Sequence, residues 1–95
     1  MKYTILGGGI TGLSAAHYLS KFASTEKIVL LEASNRLGGW INTSRHEDGI
    51  LHEHGPRTIR PAGLAGANTL ELAEELGLSD KIIPIVSGHP ATKNR

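Results

Sequence analysis

Gly7-Gly8-Gly9-Ile10-Thr11-Gly12 sets glycine at every glycine position of a G-x-G-x-x-G pattern, and a carboxylate, Glu32, follows Gly12 by twenty positions. Each glycine has a separate task in holding a pyrophosphate. Gly7 makes a tight turn, Gly9 lets backbone approach the phosphates, and Gly12 lets a helix lie close on a strand. The helix that follows turns its N-terminal N–H groups toward the anion. Alone, such a run is a flexible glycine turn. An acidic residue at this distance makes it a dinucleotide site, because the carboxylate accepts the hydroxyls of the adenosine ribose. The same charge repels a 2′-phosphate, which favours FAD or NAD over NADP.

Arg36-Leu37-Gly38-Gly39-Trp40 comes directly after Glu32 and Ala33. An arginine followed by a glycine pair just past the ribose acid distinguishes an FAD site from an NAD site. The glycines allow backbone to lie along the dinucleotide, and the guanidinium adds positive charge near its phosphates. A third glycine-containing loop, His54-Gly55-Pro56-Arg57-Thr58, follows a turn at Glu47-Asp48-Gly49. His52 and His54 put two imidazoles on one strand face with His46 nearby, but no third ligand stands at convincing spacing, so they read as ordinary strand and loop histidines and no metal is expected. No Ser/His/Asp or Cys/His set can be assigned, and no catalytic residue is expected within the chain.

Elements at matching places must position these groups. Tyr3 to Leu6 is a short apolar run ending at the glycines, which predicts a buried strand. From Ile10 to about Phe22, Leu13, Ala16, Leu19 and Phe22 recur at helical spacing, which predicts a helix buried along that stripe. Ile28 to Leu31 is a continuous apolar run ending at Glu32, as in a parallel strand covered on both faces. The three make a strand–helix–strand unit. Further on, residues 35–42 read as glycine-rich loop or loop into helix, and Ile50-Leu51-His52 as a short strand. Asn68 or Thr69 is placed to cap a helix whose Leu70, Ala73 and Leu76 share a face, with Gly77 as its left-handed terminator. Past Pro84 the pattern fades, and the end at Arg95 reads as an interruption.

The fold class that follows is α/β: the N-terminal βαβ part of a Rossmann-like FAD-binding domain with an incomplete parallel sheet. It divides into a βαβ core over 1–33, flavin-approach loops over 34–60, and a helix and connection over 61–95. The 95 residues carry ten Lys+Arg against nine Asp+Glu, for a net charge of +1. The basic residues are scattered, which argues against nucleic acid as a partner. The absence of cysteine removes disulfides and thiolate metal sites. No secretory signal is evident, and no apolar run nears the roughly 20 residues that span a bilayer.

Glu32 followed by Arg36-x-Gly38-Gly39 resembles the signature of the flavin amine-oxidase superfamily. Gly38-Gly39-Trp40-Ile41, Gly55-Pro56-Arg57, Ile59-Arg60-Pro61-Ala62-Gly63, Glu75-Leu76-Gly77-Leu78 and the stretch from His89-Pro90-Ala91 to Asn94-Arg95 together resemble the protoporphyrinogen oxidase family of the mitochondrial type. That resemblance implies an FAD enzyme that oxidises protoporphyrinogen IX to protoporphyrin IX in haem synthesis, with oxygen as acceptor and hydrogen peroxide as product. It implies a homodimer on the mitochondrial inner membrane, held peripherally on the intermembrane-space side. By position, its FAD contacts fall on Gly7, Gly8, Gly9, Ile10, Thr11 and Gly12, on Glu32 and Ala33, on Trp40, and on Gly55, Pro56, Arg57 and Thr58. Arg95 lies where the family places an arginine near a substrate propionate. The family builds its catalytic chamber from later regions, so the 95 residues alone are expected to be inactive. A non-catalytic nucleotide-binding or interaction module is the alternative.

Overall fold

A computed structural model describes residues 2–23 and 25–84 of the chain. The chain divides into two compact units, Met1–Arg57 and Thr58–Arg95.

In the first unit, β1 (Lys2–Leu6) leads through the glycine turn into α1 (Ile10–Phe22), and the chain returns as β2 (Lys27–Leu31). The two strands pair in parallel with Lys2 beside Lys27 and Leu6 beside Leu31. Parallel pairing of neighbouring strands requires a crossover, and α1 supplies it. The ladder runs one residue past β1, where the Gly7 N–H donates to the Leu31 carbonyl at 2.7 Å. This bond puts the glycine turn and Glu32 at the same end of the sheet.

Coverage of the strands is thinner than the apolar runs predict. Tyr3 and Ile5 alternate as half-buried residues along β1, and Ile28, Val29 and Leu30 are half-buried on β2. Among the described residues no apolar side chain is fully buried. The stripe on α1 follows the same trend: Leu13, Ala16 and Leu19 are half-buried, while Phe22 at its end is 82% exposed. The physical reason is scale, since one helix against two strands cannot enclose both faces of a sheet.

A second, antiparallel pair joins β3 (Thr43–Arg45) to β4 (Leu51–Glu53), with Ser44 opposite His52. The turn between them closes through His46 N–H to the Ile50 carbonyl at 3.0 Å, with Gly49 at φ +88°. The Asp48 carboxylate caps it by accepting the Ile50 N–H at 3.0 Å. The turn at 47–49 lies where the sequence predicts it, and the strand sits one residue later than expected. No helix forms across 35–42; those residues are bends, turn and irregular backbone.

The second unit contains α2 (Gly63–Glu75) and a 3-10 turn at Ser79–Lys81. The helix begins about one and a half turns before the expected cap. Asn68 and Thr69 are therefore interior, and the Thr69 hydroxyl donates back to the Ala65 carbonyl at 2.9 Å. The actual N-cap is Ala62, whose side chain caps nothing. Closure at the other end matches expectation. Gly77 sits at φ +74°, its N–H donates to the Glu74 carbonyl at 3.0 Å, and the Leu78 N–H donates to the Ala73 carbonyl at 2.8 Å. Those two bonds make a Schellman cap.

Candidate functional site

The glycine turn is shaped by close approaches. Gly7 takes φ +101°, a conformation that side-chain-bearing residues rarely adopt. At Gly12 a Cβ would stand 1.9 Å from the Gly7 carbonyl oxygen and 3.4 Å from Ile5 Cγ2, so only glycine lets α1 start this close to β1. At Gly9 a Cβ would meet nothing within 4 Å. That position faces open space at the helix entrance.

Gly9 is the N-cap of α1 in extended conformation, with no side-chain cap and no acidic residue in the first turn. The first intrahelical bond runs from Leu13 N–H to the Gly9 carbonyl at 2.9 Å. The N–H groups of Ile10, Thr11 and Gly12 thus have no carbonyl in their own helix to bond. With the positive end of the helix dipole behind them, they form a donor set suited to an anion.

Glu32 lies beside this turn, one residue past β2. One carboxylate oxygen, Oε1, accepts the Gly8 N–H at 2.8 Å, and Oε2 accepts the Ser34 N–H and the Ser34 hydroxyl, each at 2.7 Å. The Ser34 backbone and hydroxyl bonds, then the Gly8 N–H and the nearby Arg36 charge, lower its pKa from 4.5 to about 2. Glu32 is therefore ionised throughout the neutral range. Gly8 is buried between this carboxylate and Leu37, where a Cβ would stand 2.6 Å from Leu37 Cδ2. Its N–H is already spent on Glu32, so its part in the site is to join the turn to the acid.

The loop after Glu32 folds back over the turn. Gly38 N–H donates to the Gly8 carbonyl at 2.8 Å, and a Cβ on Gly39 would stand 3.3 Å from the Gly9 Cα. Both glycines have positive φ, +112° and +62°. Arg36 is held within its own loop. Its guanidinium donates to the carbonyls of Leu37 at 3.1 Å, Ile41 at 3.3 Å and Gly39, fastening the loop from inside. Trp40 stands 72% exposed. A Cβ on Gly55 would stand 2.0 Å from the Trp40 carbonyl, so the Gly55-Pro56 loop rests directly on the Gly-Gly-Trp backbone.

Within the first unit the contacts above tie together Gly7 to Gly12, Glu32, Trp40 and Gly55, and Ala33, Pro56 and Arg57 belong to the same unit. Thr58 opens the second unit, and Arg95 with the His89-Pro90-Ala91 stretch lies outside the described residues. Two residues of the site escaped the sequence reading. Ser34 offered only a common residue type in a polar stretch, although a hydroxyl two positions after an acid is a familiar local hydrogen-bond donor. Leu37 was hidden as the variable position between Arg36 and the glycines.

The three histidines divide among separate partners. His46 and His52 meet edge to face at 4.6 Å between ring centres, and His54, just past β4, shares a 2.7 Å hydrogen bond with the Ser44 hydroxyl. Among the described residues no group of three or more His, Cys, Asp or Glu is gathered to hold a metal ion.

A parallel strand–helix–strand with an uncapped helix entrance and a fixed carboxylate at the end of the second strand defines a dinucleotide-binding α/β unit. The chain belongs to the family of NAD(P)-binding Rossmann-like domains, whose model matches residues 5–76. It is 54% identical to the protoporphyrinogen oxidase of Bos taurus and 52% identical to that of Homo sapiens, each over 91 residues, or 96% of the chain. It is 44% identical to the protoporphyrinogen oxidase of Schizosaccharomyces pombe over its whole length. The chain spans 19% of the first two relatives and 21% of the third. The resemblance read from the sequence holds at this level.

Proposed function

We propose that this chain is the N-terminal, FAD-binding portion of a protoporphyrinogen oxidase and that it holds the ADP half of the cofactor. The observation that carries the reading is the pairing of the free N–H groups of α1 with the ionised Glu32, joined through Gly8. An anion donor set beside a ribose acceptor is the chemistry an adenosine pyrophosphate requires. Gly9, open where a Cβ would stand, leaves room for a close ligand. FAD, when bound, supplies a flavin that takes electrons from the porphyrinogen. The chain's own share is to bind the pyrophosphate on α1, orient the ribose on Glu32 and carry the Gly38-Gly39 and Gly55-Pro56 loops toward the dinucleotide.

In the complete protein the substrate is protoporphyrinogen IX and the final acceptor oxygen, with a homodimer resting on the mitochondrial inner membrane. Arg95 serves a substrate propionate there. These assignments are what the family resemblance read from the sequence implies; the names of the relatives support the porphyrinogen substrate.

NAD is the competing ligand, since the matching family model carries that name. Arg36-Leu37-Gly38-Gly39, folded onto Gly8 and Gly9, favours FAD. Titrating the chain with ADP, FAD, NAD and NADP tests the choice. Weak binding of ADP and FAD, weaker binding of NAD than of FAD, little binding of NADP, and at least a tenfold loss in Glu32→Ala are expected. NADP binding as tightly as ADP, or an unaffected Glu32→Ala variant, would overturn the proposal.

A further inference from the structure

Ser34 sits two residues past Glu32, exposed at the surface, and outside the glycine and acid motifs. Two of its hydrogen bonds fall on one atom. Oε2 of Glu32 takes both the Ser34 N–H and the Ser34 hydroxyl at 2.7 Å, so the residue grips one carboxylate oxygen twice. The Gly8 N–H holds the other oxygen. A carboxylate offers about four acceptor directions. These three donors fix the plane of the group and leave one direction on Oε1 unspent. The reading that Glu32 takes both ribose hydroxyls narrows accordingly to a carboxylate held for one.

The hydroxyl also faces the Arg36 backbone. Ser34 Oγ lies 3.0 Å from the Arg36 carbonyl oxygen and accepts the Arg36 N–H at 3.3 Å. A serine has one hydroxyl hydrogen, which can serve only one of two acceptors at a time. An ionised carboxylate at 2.7 Å is the stronger of the two. The hydrogen therefore goes to Glu32, while the serine oxygen receives the Arg36 N–H and ties the acid to the start of the Gly38-Gly39 loop.

We propose that Ser34 is a positioning residue for nucleotide binding: it locks the Glu32 carboxylate in one orientation for a hydroxyl of the adenosine ribose. The inference rests on the ADP-binding function proposed above and names the residue that makes its ribose contact selective. Ser34 acts through Glu32 and touches no part of the nucleotide. Its loss should weaken ligands that carry ribose hydroxyls and leave those without them alone.

The test compares ADP with 2′,3′-dideoxy-ADP on the full chain, using the wild type, Ser34→Ala, Ser34→Thr and Glu32→Gln. Ser34→Ala keeps the backbone N–H and removes one charge-assisted hydrogen bond, so ADP affinity should fall about three- to tenfold. Affinity for the dideoxy ligand should change by less than about twofold, Ser34→Thr should restore ADP binding, and adding Ser34→Ala to Glu32→Gln should cost nothing more. The Glu32 carboxyl titration, followed by carbon NMR, should move upward in Ser34→Ala and return in Ser34→Thr. Equal weakening of both ligands, or unchanged ADP binding in a Ser34→Ala chain with normal circular dichroism, would overturn the role of Ser34. If the wild type fails to distinguish the two ligands, or binds neither, the ribose reading of Glu32 falls first.

Discussion

Glu32 joins the glycine turn to the loop that begins at Ser34, and its protonation has a defined consequence. Its carboxyl is lowered from 4.5 to about 2 by Ser34, Gly8 and Arg36. A depressed carboxyl stabilises the folded state above its unfolded value and loses that contribution as pH falls through the folded one. An acid titration should therefore show Glu32 contributing fully above about pH 4.5 and losing its share between there and about pH 2. In Glu32→Gln that part of the pH dependence should vanish, as read by circular dichroism during acid titration. Gly12 offers a sharper test of geometry. The obstacle to a side chain is the Gly7 carbonyl, backbone of the same turn, which cannot swing aside as a side-chain tip would. Gly12→Ala should cost at least about 2 to 3 kcal/mol in chemical denaturation. The sequence made the glycines and Glu32 legible because their spacing is set by the turn and the crossover. It left the contacts of Arg36 unread, because charge reveals only that a cation is present. Three nearby carbonyls, brought close by two glycines of positive φ, decide where that cation goes.

At the level of elements, the strand–helix–strand unit was readable and two other pieces were not. β3 is Thr43-Ser44-Arg45, with no apolar alternation to mark it. It exists because the turn at 47–49 folds it onto β4, where the Thr43 hydroxyl donates to the Glu53 carboxylate. The second piece is the start of α2, which hides behind glycines. Gly66 is buried so closely that a Cβ would stand 2.4 Å from the Pro61 carbonyl carbon, and the helix starts on Ala62 without a side-chain cap. Asn68 and Thr69 look like caps only because Leu70 follows. The difference can be measured. An N-cap Thr→Ala change costs about 1 kcal/mol, whereas Thr69→Ala inside the helix should change stability by less than about 0.5 kcal/mol, because alanine is the better helix former. Gly77→Ala should cost about 1 kcal/mol, since its backbone is left-handed. Both values come from denaturant midpoints of the full chain.

At the scale of the molecule, the described residues present apolar surface and close no core among themselves. Leu6 and Leu64 are each 80% exposed, Phe22 82% and Trp40 72%. Singly, such residues are unremarkable, but a chain with no buried apolar side chain among its described residues has little to offset the entropy of folding. The isolated chain should bind a hydrophobic dye and self-associate with rising concentration in sedimentation velocity. Phe22→Ser should reduce the association and leave the circular dichroism unchanged. No helix among the described residues is long and apolar enough to cross a membrane.

The central claim, that the turn before α1 and Glu32 together receive an adenosine pyrophosphate, is tested most directly by recording backbone amide NMR shifts of the labelled chain as ADP is added. The shifts should concentrate on Gly9, Ile10, Thr11, Gly12 and Glu32, and Glu32→Ala should abolish them at matched ADP. Shifts confined to the β3–β4 hairpin, or no shifts at millimolar ADP in a folded chain, would contradict it.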